Sequence, residues 1–429
     1  MLPSGLGKRV GILGLGISGF YTAKVLSEKG FQVFVSEKNR SEAALNYAAQ
    51  LQVLKIDVEV GSHDLARLDQ CDWMVVSPGI SPFHEIIQRF SKQKKKIYGD
   101  IEVAFWFCRS QDVIAVTGSA GKTTASTLIH QLFTHQGRKA YLCGNIGTPW
   151  IQQVDQIQEK DTVVLELSSF QLYYTESFFP RVGVLLNISS NHLDWHREIE
   201  HYVISKLQIF ARQTAQGLAL LRREDKEKFF PLRLFPVPRE YFAGSDSKPE
   251  LQDLLEKIAG YYKFPLSSVK DVLSQFKGIE HRLEELPASQ GIRFVNDSKS
   301  TTPLSVAYAL GKYPDQSVLL IAGGKAKSKD FDTIISLVKE KVKKAFLIGE
   351  SASLLEESWR SSGVPIKICK TFQESITEAY HHASKNDIVL LSPGCASFDM
   401  FQSYIDRGNQ FKNCVNQIVK EQKSVSTSR

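Results

Sequence analysis

Cysteine is scarce in this 429-residue chain: six residues, Cys71, Cys108, Cys143, Cys369, Cys395 and Cys414, with no Cys-x-x-Cys pair among them. Such scatter argues against a disulfide framework and against a zinc site, and it suits free thiols in a reducing compartment. No apolar stretch approaches the ~20 residues of a membrane span. No secretory leader is expected at this N-terminus, because Gly11, Gly14, Gly16 and Gly19 interrupt the first apolar run and nothing resembles a cleavage site. The expectation is a cytoplasmic protein. Neither sign of charge dominates: 53 Lys and Arg against 46 Asp and Glu leave a net charge of +7. The run Lys92, Lys94, Lys95, Lys96 has no interleaved aromatic residues, so it reads as a solvated helix end and no nucleic-acid partner is expected. Short-period repeats and biased tracts are absent too. What is left, 42% apolar and 23% charged, is an ordinary globular composition long enough for two or three domains.

Three segments follow one another. The first alternates strand and helix, VGIL (10–13), GLGISG, a helical stretch, FQVFV (31–35), then WMVVSPGI (73–80). This predicts a Rossmann-like unit over 1–99, in which Gly14, Gly16 and Gly19 allow a tight turn beside a phosphate and Glu37 ends the second strand. A lone glycine motif of this kind serves NAD, a flavin or another nucleotide, or is a plain turn. The second segment, 100–279, carries the continuous apolar runs TVVLE (162–166) and VGVLLN (182–187), expected as central parallel strands. The third, 280–429, alternates GIRFVND, SVLLIAGG, KAFLIGE and DIVLLSPG with helical patterns, predicting a doubly wound α/β domain.

The strongest chemical signal is VIAVTGSAGKTT (113–124). An apolar strand runs into Gly118, Ser119, Ala120 and Gly121, then Lys122, Thr123 and Thr124 open a helix. Bare N–H groups and a helix dipole cradle phosphates, the lysine reaches terminal oxygens, and a hydroxyl ligates Mg²⁺. Val116 stands where a common Walker loop has glycine or alanine, so this loop is compressed. The reading is an ATP site.

Other candidates sit just past apolar strands, where parallel sheets present ligands. Glu166 in LELSSFQL is placed to complete a Mg²⁺ shell, or else caps a helix or lies on the surface. LLNISSNHLDWH brings Asn187, Asn191, His192 and Asp194 to the same edge, and Lys206 follows in a helical stretch. In the third segment NDSKSTTP, GGKAKSKDF and the LSPGCASFDMFQSYIDRGNQF block supply Lys, Ser and Thr, with Arg407 on the helix after the last loop. These suit an anionic small molecule, though for each alone a helix N-cap loop is the commoner explanation of its Ser and Asp.

Together GSAGKTT, GNIG, ELSSFQL, LNISSNHLD, HRLE, NDSKSTT and the final block resemble the Mur ligase family, which builds the peptide stem of bacterial peptidoglycan. The resemblance spans the chain and points to the branch that adds D-glutamate to UDP-N-acetylmuramoyl-L-alanine; the Asp-Asn-Pro-Arg motif of the diaminopimelate-adding branch is absent. It implies a Rossmann-like N-terminal domain, a central P-loop-type ATPase domain and a doubly wound Rossmann-like C-terminal domain, in a monomer that uses ATP and two Mg²⁺ ions. By the same resemblance Gly16, Ile17, Ser18, Glu37, Ser77, Gly79, Asn145 and Ser168 would bind the UDP substrate. Gly118 to Thr124, with Arg282 and Asp297, would bind ATP. Thr123, Glu166, His192 and Lys206 as a carbamate would hold metal, and Lys299 would line the catalytic cleft. Thr301, Lys327, Ser397 and Tyr404 would take D-glutamate. The family's Gly-x-His-Asn-x-x-Asn stretch is replaced here by AGSDSKPELQDLLEKIAG, which implies a differently built adenine contact.

Overall fold

The computed structural model describes residues 2–189, 192–225, 238–244, 249–326 and 330–427. Three β-sheets account for the architecture, and the apolar runs read from the sequence form their centres. The first sheet contains β1 (Arg9–Leu13), β2 (Gln32–Glu37), β3 (Asp57–Val60), β4 (Trp73–Val76) and β5 (Lys96–Gly99). It is wholly parallel in the order β3-β2-β1-β4-β5. Its order reverses at β1 and β4, which is where such folds bind ligands.

The second sheet contains β6 (Val113–Thr117), β7 (Ala140–Gly144), β8 (Thr162–Glu166), β9 (Val182–Leu185), β10 (Leu218–Arg222) and β11 (Arg239–Phe242). All its pairings are parallel, in the order β11-β10-β9-β6-β8-β7. Strands β6, β8 and β9 are buried along their whole length, as a sheet covered by helices on both faces requires. The ends of β6, β8 and β9 therefore lie side by side, with Val116 registered against Glu166 on one flank and Val184 on the other.

These two sheets belong to one compact unit, Met1–Phe276. The helix Asp100–Phe107 is buried on nearly every face, and Trp106 packs edge-on against both Trp73 and Tyr98 of the first sheet. Phe105 meets Trp150 and Phe178 on the other side. A division at 99/100 thus runs through continuous apolar packing, whereas the second compact unit starts at Lys277.

That unit, Lys277–Arg429, holds β12 (Glu284–Ser289), β13 (Ile292–Asn296), β14 (Val318–Gly323), β15 (Val342–Ile348), β16 (Ile366–Ile368) and β17 (Ile388–Leu391). The order is β12-β13-β17-β14-β15-β16, with only β12 antiparallel. Apolar clusters on both faces make it the doubly wound domain expected. Among the described residues no helix is long and apolar enough to cross a membrane.

Candidate active site

The loop after β6 is shaped by backbone geometry. Gly121 precedes the helix Lys122–His135 at φ +79°, a left-handed conformation that a side chain disfavours. The loop is braced from β9: the Asn187 amide accepts from Ala120 N–H at 2.9 Å and donates to Ala120 O at 3.1 Å. Ser119 Oγ donates to Ser189 O and shares a 2.8 Å hydrogen bond with Tyr202 OH. The Lys122 ammonium folds over the loop and donates to the Gly118 and Ser119 carbonyls at 2.9 and 3.3 Å. The result is a fixed turn of amides and a lysine at a helix mouth, as triphosphate binding needs.

Behind this loop lies a buried charged group. Glu166, at the end of β8, is 2% exposed. Its Oε1 accepts from Asn145 Nδ2 at 2.9 Å, while Oε2 is buried and has no hydrogen-bond partner among the described residues. Lys206, on the helix Ile199–Leu207, is also 2% exposed. Its Nζ donates to Gly118 O at 3.0 Å and to Thr117 Oγ1 at 3.4 Å, above the Tyr202 ring. Burial pushes the Lys206 pKa well down, and Lys122 pushes the same way, with Glu166 opposing. A lysine so placed gives up its proton more readily than an exposed one, and a neutral amine is the form that takes up CO₂.

Whether these residues suit Mg²⁺ is tested by the orphaned Glu166 oxygen. A carboxylate oxygen hidden from water with no donor is costly, and a cation is a fitting partner for it. Thr123 is buried in the first turn of the phosphate-loop helix. Among the described residues no three His, Cys, Asp or Glu side chains converge. Mg²⁺ commonly takes one or two carboxylates and completes its shell with phosphate and water. His192 is exposed, with φ +57° and its ring edge-on to Phe170 at 4.8 Å. Asn191 lies outside the described residues.

In the first sheet the glycine loop is held by Glu37, whose Oε2 accepts from Leu15 N–H at 2.8 Å and Oε1 from Asn39 N–H at 2.7 Å. Both oxygens are thus engaged by the backbone around the loop. Ser77 Oγ donates to Gly14 O at 3.1 Å, and Ile17 stands exposed at the start of the helix Ile17–Glu28. Ser18, the next residue of that helix, hydrogen-bonds Asp100, whose carboxyl burial raises to about 6. Gly16 and Gly79 have open space around them. Ser168 caps the short helix after β8 in a reciprocal capping box with Gln171. Asn145 is tied to Glu166 twice, through its side chain and by its N–H to the Glu166 carbonyl at 2.8 Å.

In the second unit Asp297 follows β13 and is 3% exposed. Burial raises its pKa to about 6 against the hydrogen bonds from Ser300 and Ser392. Its Oδ1 accepts from Leu283 N–H at 3.2 Å, which ties it to the HRLE stretch carrying Arg282. Lys299 is half-buried with its Nζ 5.7 Å from the Tyr404 ring, and Ser397 is buried in the loop after β17. Thr301 lies just before the helix Pro303–Leu310. The structure thus gathers Asp297, Lys299, Thr301, Ser397 and Tyr404 at one edge of this sheet; Lys327 lies outside the described residues. Sequence reasoning gave no part to Tyr202 or Asp100. Their chemistry is set by burial and by partners distant in the chain, which no local motif records.

Comparison with known proteins bears on this arrangement. Residues 8–99 match the Mur ligase MurD-like N-terminal domain, 116–243 the Mur ligase middle domain, and 281–395 the Mur ligase glutamate ligase domain. The chain belongs to the Mur ligase family. It is 32% identical to the UDP-N-acetylmuramoylalanine--D-glutamate ligase of Clostridioides difficile, over 96% of this chain and 99% of that one. The enzyme of the same name from Symbiobacterium thermophilum is 34% identical over 96% and 98%. Among solved structures, UDP-N-acetylmuramate-alanine ligase MurC from Thermotoga maritima has a TM-score of 0.55 at 15% identity, covering 95% of this chain and 99% of its own. MurF ligase from the same organism, in complex with ADP, also has a TM-score of 0.55, at 14% identity and covering 96% and 98%. These last two likenesses concern the three-domain fold alone.

Proposed function

We propose that this chain joins D-glutamate to UDP-N-acetylmuramoyl-L-alanine at the expense of ATP, in peptidoglycan precursor synthesis. The observation that carries the chemistry is the buried Glu166 and Lys206 pair directly behind the phosphate loop. The identity of the acceptor and the amino acid rests on full-length likeness to ligases of that name.

In this reading Gly118 to Thr124 hold the ATP phosphates, with Lys122 swinging from the loop carbonyls to the terminal oxygens. Thr123, Glu166, His192 and Lys206 as a carbamate would hold Mg²⁺, as two ions. Mg²⁺ when bound offsets the negative charge where two anions must meet. The precursor carboxylate attacks the γ-phosphorus, the bond to ADP breaks, and an acyl phosphate forms. The amine of D-glutamate then attacks the acyl carbon, and the tetrahedral intermediate expels phosphate to leave an amide. Gly16, Ile17, Ser18, Ser77, Gly79, Asn145 and Ser168 hold the UDP substrate, with Glu37 fixing the loop that approaches it. Arg282 and Asp297 contribute to ATP, Lys299 to the cleft, and Thr301, Lys327, Ser397 and Tyr404 to D-glutamate. The working form is a cytoplasmic monomer.

An isotope experiment tests this path. With ¹⁸O in the precursor carboxylate, one labelled oxygen is expected in each phosphate released. Phosphate without label would mean that ATP is hydrolysed by water and that no acyl phosphate forms.

A further inference from the structure

Arg407 is the largest charged side chain hidden in the second unit, at 0% exposure. It lies on the helix Tyr404–Thr427 and reaches back under the loops at the sheet edge. Its Nε donates to Ser298 Oγ at 3.0 Å, and its Nη2 to Ser298 O at 2.9 Å and Cys395 O at 3.1 Å. Ser298 Oγ in turn donates to Tyr404 O at 2.7 Å. One guanidinium therefore fastens the loop after β13, the loop after β17 and the first turn of the last helix. Those segments carry Lys299 and Thr301, Ser397, and Tyr404 respectively.

Two observations exceed a purely structural knot. All the hydrogen-bond partners of Arg407 are neutral oxygens, and its Nη1 is buried with no partner among the described residues. That nitrogen faces the backbone of Gly324, just after β14, where an added Cβ would lie 3.2 Å from it. Burial lowers the Arg407 pKa to about 10, with Cys395 and Asp399 opposing, so the group stays cationic at neutral pH. A buried cation whose hydrogen bonds reach no carboxylate gains from a nearby anion.

We propose that Arg407 is a positioning residue for amino-acid recognition, locking these loops together and supplying a buried positive charge that favours a dicarboxylate over a singly charged amino acid. This rests on the D-glutamate reading above.

The test compares D-glutamate with D-glutamine in ATP-dependent phosphate release, for wild type, Arg407→Met, Arg407→Lys and Ser298→Ala, with melting temperatures recorded alongside. Arg407→Met is expected to raise the D-glutamate KM about ten- to hundredfold and to shrink the preference for D-glutamate over D-glutamine. KM for ATP and for the UDP precursor stays within about twofold. Arg407→Lys restores the preference while KM remains high, and Ser298→Ala raises KM with the preference intact. Equal loss toward all three substrates, or an unchanged preference in Arg407→Met, overturns the proposal. Should Arg407→Met not fold, unchanged KM in both other variants overturns it. Wild-type protein that releases phosphate without regard to D-glutamate overturns the functional reading and this proposal with it.

Discussion

Burial strips Lys206 of the water an ammonium needs, and this sets its chemistry. Its folded pKa is depressed, so the stability tied to it is present above the ordinary lysine range and is lost as pH falls through the folded value. Carbamate formation follows the neutral amine and so increases with pH. Protein equilibrated with ¹³C-bicarbonate is expected to show one carbamate carbonyl resonance in ¹³C NMR that weakens on acidification and is absent from Lys206→Arg. An unchanged spectrum in that variant would refute the assignment. Glu166 makes a second prediction. Replacing its orphaned oxygen in Glu166→Gln should weaken Mg²⁺-dependent binding of ADP about tenfold or more by calorimetry, with Mg²⁺-free binding little altered. Neither burial was legible in the sequence. Glu166 reads equally as a helix cap and Lys206 as a solvated lysine, because both are hidden by segments far away in the chain.

At the scale of elements, the phosphate loop depends on β9 as much as on its own glycines. Asn187 makes two hydrogen bonds to Ala120, and its loss leaves both loop groups to water. Asn187→Ala is expected to raise the ATP KM about tenfold, with a small fall in melting temperature, since a net hydrogen bond contributes about 0.5–1.5 kcal/mol. A KM equal to wild type would mean that the loop holds its shape unaided. Strands legible in the sequence were the continuous apolar runs, such as 162–166, which forms β8 to the residue. Elsewhere the ends shifted: 182–187 shortens to Val182–Leu185, and 344–350 starts two residues earlier as Val342–Ile348. Strands β3, β11 and β12 gave no signal because they are edge strands, exposed or only partly buried over most of their length and each carrying two charged residues, so no apolar pattern marks them.

For the whole molecule the packing makes an asymmetric prediction. The second unit has its own apolar clusters on both sheet faces, so a fragment of residues 277–429 should melt cooperatively by itself. A fragment of residues 1–99 loses Trp106 from its contacts with Trp73 and Tyr98 and should unfold at markedly lower temperature, or fail to fold. Circular dichroism of the two fragments decides this; equal cooperative melting would place the structural boundary at 99/100. The three-segment plan was legible because each segment repeats the strand and helix alternation. The shared packing of the first two was not, since the helix Asp100–Phe107 reads as ordinary until both of its neighbours are in place.

The most direct test of the central claim is phosphate release by the purified protein with ATP, Mg²⁺ and UDP-N-acetylmuramoyl-L-alanine, with D-glutamate, L-glutamate or no amino acid. Release that requires D-glutamate and disappears in Lys122→Ala is the predicted result. Turnover only with a different precursor or amino acid, or release indifferent to D-glutamate, would contradict it.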